Sequence, residues 1–154
     1  MLGKEHPDTL GSIDNSANVL SRQGKYEQAE EMHRQVLELK ETVLGKEHPD
    51  TLASMASWAI TCWNQERWDE AENLERQVME IRSRVLGHRH PDTLTAMANL
   101  AHTLKSQGRD QEAIALMRQA ERLQEEILGI DHPDTMRSSE VVEDWLAMDV
   151  NERA

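Results

Sequence analysis

The chain has 154 residues, a net charge of −12, no Phe, one Tyr, four Trp and a single Cys. That charge disfavours nucleic acid, whose binding needs clustered Lys and Arg to displace counterions, and one Cys62 forms no internal disulfide framework, which suits a reducing compartment. No uninterrupted apolar run is long enough for a membrane span and the start, Met-Leu-Gly-Lys-Glu-His, is not a signal peptide, so the chain reads as soluble and cytoplasmic with no membrane contact.

The string Leu-Gly-x-x-His-Pro-Asp-Thr-(Leu/Met) begins at Leu2, Leu44, Leu86 and Leu128, a constant step of 42 residues. A register this strict means one structural unit copied and stacked. Within the first unit, Pro7 to Arg22 carries apolar residues at Leu10, Ile13, Ala17 and Leu20, a helical spacing. The same slots hold Leu52, Met55, Ala59 and Cys62, then Leu94, Met97, Ala101 and Leu104. Gly24 and Gly108 end these helices as left-handed C-caps, and Glu66 breaks that pattern.

A second helix follows in each unit. In the first it runs from about Lys25 to Val43, with Tyr26, Ala29, Met32, Val36, Leu39 and Val43 on one face. Leu-Gly closes the unit and His-Pro opens the next. Proline suits the first helical position, where its missing N–H costs nothing. The His before it is then the N-cap and the Asp after it opposes the helix dipole; a start one or two residues later, with Asp as cap, is the alternative. A continuous coiled coil is rejected because Pro and Gly interrupt the register in every unit.

The chain resembles a tetratricopeptide repeat array of the 42-residue kinesin-light-chain type. The residues that carry the likeness are Asn99-Leu100-Ala101, Gln107-Gly108-Arg109, Glu112-Ala113 and the run from Gln23 to Glu30. The family's small residue of the first helix maps onto Ala17, Ala59 and Ala101, and that of the second onto Ala29, Ala71 and Ala113. The His-Pro-Asp-Thr-Leu junctions are also similar to repeats of fungal nucleotide-binding immune-type receptors. The resemblance implies an all-α fold: a right-handed superhelical solenoid of antiparallel helix pairs ending in a capping helix. It implies one domain over residues 1–154, with repeats at about 2–43, 44–85 and 86–127 and the cap at about 133–148. In that cap Met136, Val142, Trp145 and Leu146 are expected to cover the end of the stack.

Several strings look chemical. His-Pro-Asp also marks J-domain co-chaperones, but there it occurs once, between two basic helices; capping accounts for all four copies here. Four histidines spaced one per repeat cannot converge on one ion, and His88-x-His90 lacks a supporting Cys or carboxylate cluster. No phosphate loop, nucleophile elbow or metalloprotease motif occurs. The sequence therefore predicts no catalysis, no metal and no cofactor.

Copies that disagree are more informative. Trp58 shares a slot with Ser16 and Leu100 and reads as core. Trp63 stands against Ser21 and Lys105, so its slot lies outside the core, as a binding anchor or as a contact to a neighbouring helix. The second helices hold 15 acidic and 10 basic residues and the first helices 4 and 2, so the second helices form the solvated outer side. The resemblance then implies that the first helices line a concave face that holds an extended peptide or partner protein. Transferred residue by residue, that face is Asn15, Asn18, Ser57, Ile60, Trp63, Asn64, Asn99, His102 and Lys105. Asparagine amides can both donate to and accept from a peptide backbone. Leu2-Gly3 reads as the end of a preceding unit, which implies a longer array or receptor and leaves a first repeat open to self-association. A structural role, with repeats stacking between chains and no peptide ligand, is the alternative.

Overall fold

The computed structural model describes residue 3 and residues 6–153 of the chain, so Leu2 of the first junction string lies outside the described residues. Among these the order is α1 (Pro7–Arg22), α2 (Tyr26–Val43), α3 (Pro49–Asn64), α4 (Trp68–Leu86), α5 (Pro91–Ser106), α6 (Asp110–Leu128) and α7 (Pro133–Arg153), with no strand among the described residues. The chain forms two compact units, Met1–Val78 and Met79–Ala154. In the first, α1 packs on α2, α2 on α3, and α1 on α3; in the second, α5 packs on α6 and α6 on α7.

The junction string accounts for the start of each first helix. His6, His48 and His90 are N-caps in extended conformation, and each accepts the amide N–H of the Asp two residues on through its Nδ1, at 3.1–3.2 Å. His132 does the same for Asp134 at 3.2 Å. A side-chain acceptor here satisfies one of the orphan donors of the first turn. Thr51 and Thr93 return a hydroxyl to the carbonyl oxygens of Gly45 and Gly87, both at 2.8 Å. The string thus closes on itself as a turn.

The other end of each first helix is a Schellman turn. The amide of Lys25 donates to Leu20 at 2.9 Å and that of Gly24 to Ser21 at 3.0 Å, with Gly24 at φ +77°. Arg109 and Gly108 repeat the pattern, and so do Arg67 and Glu66. Glu66 holds φ +60° without being glycine, so the repeat imposes the turn even where the sequence does not favour it.

These caps fix helix pairs whose apolar stripes meet. In the first unit Leu10 and Ala17 of α1, Ala29 and Val36 of α2, and Leu52, Met55 and Ala59 of α3 are buried. In the second, Leu100, Ala101 and Leu104 pack with Ala113, Ile114, Met117, Val142 and Trp145. The alanines at the repeated small positions are wholly buried, where a methyl group allows close helix approach. Val43 leaves the expected stripe and is exposed, as is Val85 in the same slot of the next copy. The second helices run to 18 and 19 residues against 16 for the first.

The capping helix corrects one expectation. Thr135, Ser138, Val142 and Trp145 form the buried face of α7, whereas Met136 is 51 % exposed. Met136 shares the slot of Leu10, Leu52 and Leu94, and Leu94 packs with Ala120 of the second helix of its unit. Among the described residues no second helix follows α7, so Met136 has nothing to cover.

Candidate partner-binding surfaces

In the first unit the residues singled out lie on α1 and α3. Asn15 is exposed and Asn18 half-buried on α1; on α3 Ser57 is half-buried while Ile60, Trp63 and Asn64 are exposed. Ile60 and Trp63, one helical step of three apart, are 51 % and 40 % exposed and form an apolar patch with Asn64 and Ser57 on its flanks. Val19, 50 % exposed on α1, belongs with this apolar surface in character and was missed from sequence because its slot reads as Thr61 and Thr103 in later copies. Trp58, read as core, is half-buried, and its indole N–H has no hydrogen-bond partner.

Beneath this face the unit is cross-linked by polar side chains. Lys40 of α2 pairs with Asp14 of α1, donates to Ser54 Oγ of α3 at 2.8 Å, and Ser54 also bonds Asp14. Next to it, His33 Nε2 meets Thr61 Oγ1 at 3.1 Å and Thr61 donates to Ser21 Oγ at 3.1 Å. The direction of the His33–Thr61 bond follows the ring tautomer, and His33 Nδ1 has no hydrogen-bond partner. Burial pulls the His33 pKa below its ordinary value, against the opposing pull of the Asp14 and Glu30 carboxylates. Arg67, in the turn after Trp63, donates to Glu30 at 2.6 Å and Gln65 at 2.9 Å and also binds Glu70. That hydrogen bond holds the Glu30 carboxyl below its usual range and raises the Arg67 guanidinium, so the turn that follows Trp63 is tied to α2 by a charged pair. Cys62, buried in the core, has its thiol pushed up to about 11 by desolvation, which leaves it a packing residue.

In the second unit Asn99, His102 and Lys105 lie on α5. Lys105 is largely withdrawn from solvent and pairs with Asp110 at 3.0 Å, so it serves the turn into α6 more than an open face. His102 is exposed on α5, its ring edge-on to Trp145 with centroids 5.2 Å apart and planes at 86°, and partial desolvation against that neighbour lowers its pKa. Asn99 and His102 border a cavity of about 290 Å³ between α5 and α7 whose other walls include Leu94, Met117, Gln124 and Val141. No single residue announces this cavity in the sequence; comparing Ala98 and Gln124 with Asp14 and Lys40 would have shown two charged side chains replaced by neutral ones.

The two α-helical faces offer amides, one indole, aliphatic surface and few charges. Among the described residues no group of three or more His, Cys, Asp or Glu could hold a metal ion. No described helix is long and apolar enough to cross a membrane.

Comparison with known proteins gives a consistent picture. The tetratricopeptide repeat family model matches residues 8–83 and 56–126. No match was found among curated proteins. The fold is similar to the crystal structure of the nearly identical TPR-like repeats of a Podosopora anserina protein assigned as a kinesin light chain, at 29 % identity and TM-score 0.81, covering 91 % of this chain and 66 % of that one. A single-substitution variant of the same repeats superposes with TM-score 0.84 at 28 % identity, over 99 % of this chain and 72 % of that one. BtubC (BKLC) from P. vanneervenii shares the fold alone, with TM-score 0.80 at 18 % identity, over 95 % of this chain and 60 % of that one. The chain thus spans about two thirds of the length of the first of these structures.

Proposed function

Since the chain belongs to the tetratricopeptide repeat family, we propose that it is a non-catalytic interaction module of the cytoplasm that holds a partner protein or an extended peptide on its first-helix faces. One observation carries this reading. Ile60 and Trp63 lie exposed on α3 in slots that hold polar residues, Asn18 and Ser21, in the first copy. Large apolar side chains flanked by amide groups fit the anchor-and-rim pattern of interfaces, in which aromatic residues carry much of the binding energy. Asn15, Asn18, Asn64 and Asn99 supply groups that can pair with a partner's main chain in either direction. His102 and Ser57 would add contacts on the same helices, and Lys105 least, because Asp110 already holds it.

A peptide selected from a random library on the intact protein tests this reading. Trp63→Ala is expected to weaken its binding by about tenfold or more, and Asn99→Ala by a smaller factor. Unchanged affinity in both variants would remove the proposed surface.

Self-association through the first repeat is the competing reading. Ser12 and Ser16 on the exposed side of α1 are tied to their own helix, donating to the carbonyl oxygens of Asp8 and Ser12 at 2.9 and 3.0 Å. Val19 is the apolar residue exposed on that helix, which is little for a stable interface. A dimer in sedimentation equilibrium that Val19→Asp dissolves would reverse this ranking.

A further inference from the structure

The cavity between α5 and α7 has a counterpart in the first unit, and the repeat sets the two in residue-by-residue correspondence. In the first unit the space is filled from within. Lys40 is 5 % exposed; its ammonium pairs with Asp14, donates to Ser54 Oγ at 2.8 Å and reaches the main-chain oxygen of Asp50 at 3.4 Å. Two repeats later Gln124 stands for Lys40 and Ala98 for Asp14, while Ser138 and Asp134 keep the places of Ser54 and Asp50. The intermediate copy also supplies a cation: Arg82 donates to the main-chain oxygen of Asp92 at 3.1 Å. The slot therefore holds a buried cation in the first copy, a half-buried one in the second, and a neutral side chain beside a cavity in the third.

Gln124 lines that cavity, is 9 % exposed, and its Oε1 has no hydrogen-bond partner. A buried acceptor left unmet is destabilising, because it has given up its water without a replacement. A donor entering from outside would recover that loss. Asp134 is among the residues that line the cavity, and the chain as a whole carries −12. The cation at the border, Arg137, has a side chain 74 % exposed and is paired with Asp134 at 3.4 Å.

We propose that this cavity takes a lysine side chain from a partner segment, its ammonium seated among Gln124 Oε1, Ser138 Oγ and the Asp134 main-chain oxygen. The three donors of an ammonium match these three acceptors, and the alkyl stem lies along Leu94, Ala98 and Val141. The partner so completes from outside what Lys40 completes from inside the first unit. The absence of a carboxylate at Ala98 makes this seat weaker than that of Lys40, so it selects among partners more than it anchors them. The inference deepens the partner-binding reading above and rests on it, without using the Trp63 face.

Titration of the intact protein with N-acetyl-lysine methylamide, followed by NMR at the Trp145 indole, the His102 ring and the Gln124 side-chain amide, tests it. The lysine probe is expected to give saturable shifts, and its norleucine counterpart to bind at least about tenfold more weakly, as befits a charge-assisted contact. Ala98→Asp restores the first unit's carboxylate and should tighten the lysine probe by about tenfold. Ala98→Asp with Gln124→Lys fills the seat from within and should abolish the shifts while the thermal midpoint shows the fold intact. Equal binding of norleucine, preference for the arginine counterpart, no saturable shift at all, or persistent binding to the folded double variant would each overturn the proposal. Trp63→Ala should leave this titration unchanged, so failure of the first-unit surface and failure of this seat are read separately.

Discussion

Glu66 is the residue at which the repeat and the local chemistry disagree most openly. Gly24 and Gly108 reach left-handed φ without a Cβ, while Glu66 holds φ +60° with one. An L-residue in that region gives up roughly 1–2 kcal/mol. The two Schellman hydrogen bonds are the same in all three copies, while the amide of Gln65 reaches Cys62, three residues back, where those of Gln23 and Gln107 reach Val19 and Thr103, four back. Glu66→Gly is therefore expected to stabilise the protein by about 1 kcal/mol, the extra unfolded-state freedom of glycine offsetting part of the gain. Chemical denaturation reads it directly: the midpoint should rise with an unchanged slope. A fall in the midpoint would mean that the Glu66 side chain contributes something the backbone geometry hides. The break at Glu66 was visible in the sequence, but the sequence could not say whether the turn had changed or had persisted under strain.

At the scale of the element, helix boundaries were the most legible feature. Pro at the first position, His before it and Gly after the partner helix each act within a few residues, so the start of α1, α3, α5 and α7 could be read locally. What joins one helix to another was less legible. Lys40, Asp14 and Ser54 are separated by tens of residues, and their sequence neighbours give no sign that they meet. Both Lys40 and Asp14 are largely buried, so removing one partner leaves the other charge without compensation. Lys40→Met is expected to cost about 3 kcal/mol, because breaking a buried pair is costly, whereas Lys40→Gln with Asp14→Ala, the pairing found at Gln124 and Ala98, should cost far less. A double-mutant cycle by calorimetry decides this. Additive losses would show that the pair is not a coupled unit.

The whole molecule was legible through its period. Repetition sorted core from surface across the chain, and the expected buried slots at Leu52, Met55, Ala59, Leu94, Met97 and Ala101 are buried. The period fails where the pattern lacks a member, as at Met136, and where a function would arise from differences between copies, as at Trp63 and Gln124. Titration is likewise a property of the whole fold. With a net charge of −12, carboxylates dominate the surface. Just below neutrality, the groups whose titration the fold shifts include His33 and His102, both lowered by desolvation. A histidine whose folded pKa is lowered takes up its proton more readily when unfolded. Stability then rises with pH across the window, and acidification below about pH 6.5 favours the unfolded chain. Glu30, lowered by Arg67, adds its own loss further down, below the usual glutamate range. The thermal midpoint should therefore fall steadily from about pH 7.5 to about pH 5.5. His33→Met, which places in the first copy the residue found at Met117 in the third, should flatten most of that slope, since it deletes the buried, half-partnered ring. An unaltered slope in His33→Met would assign the acid response to His102 beside Trp145, and with it to the second unit instead of the first.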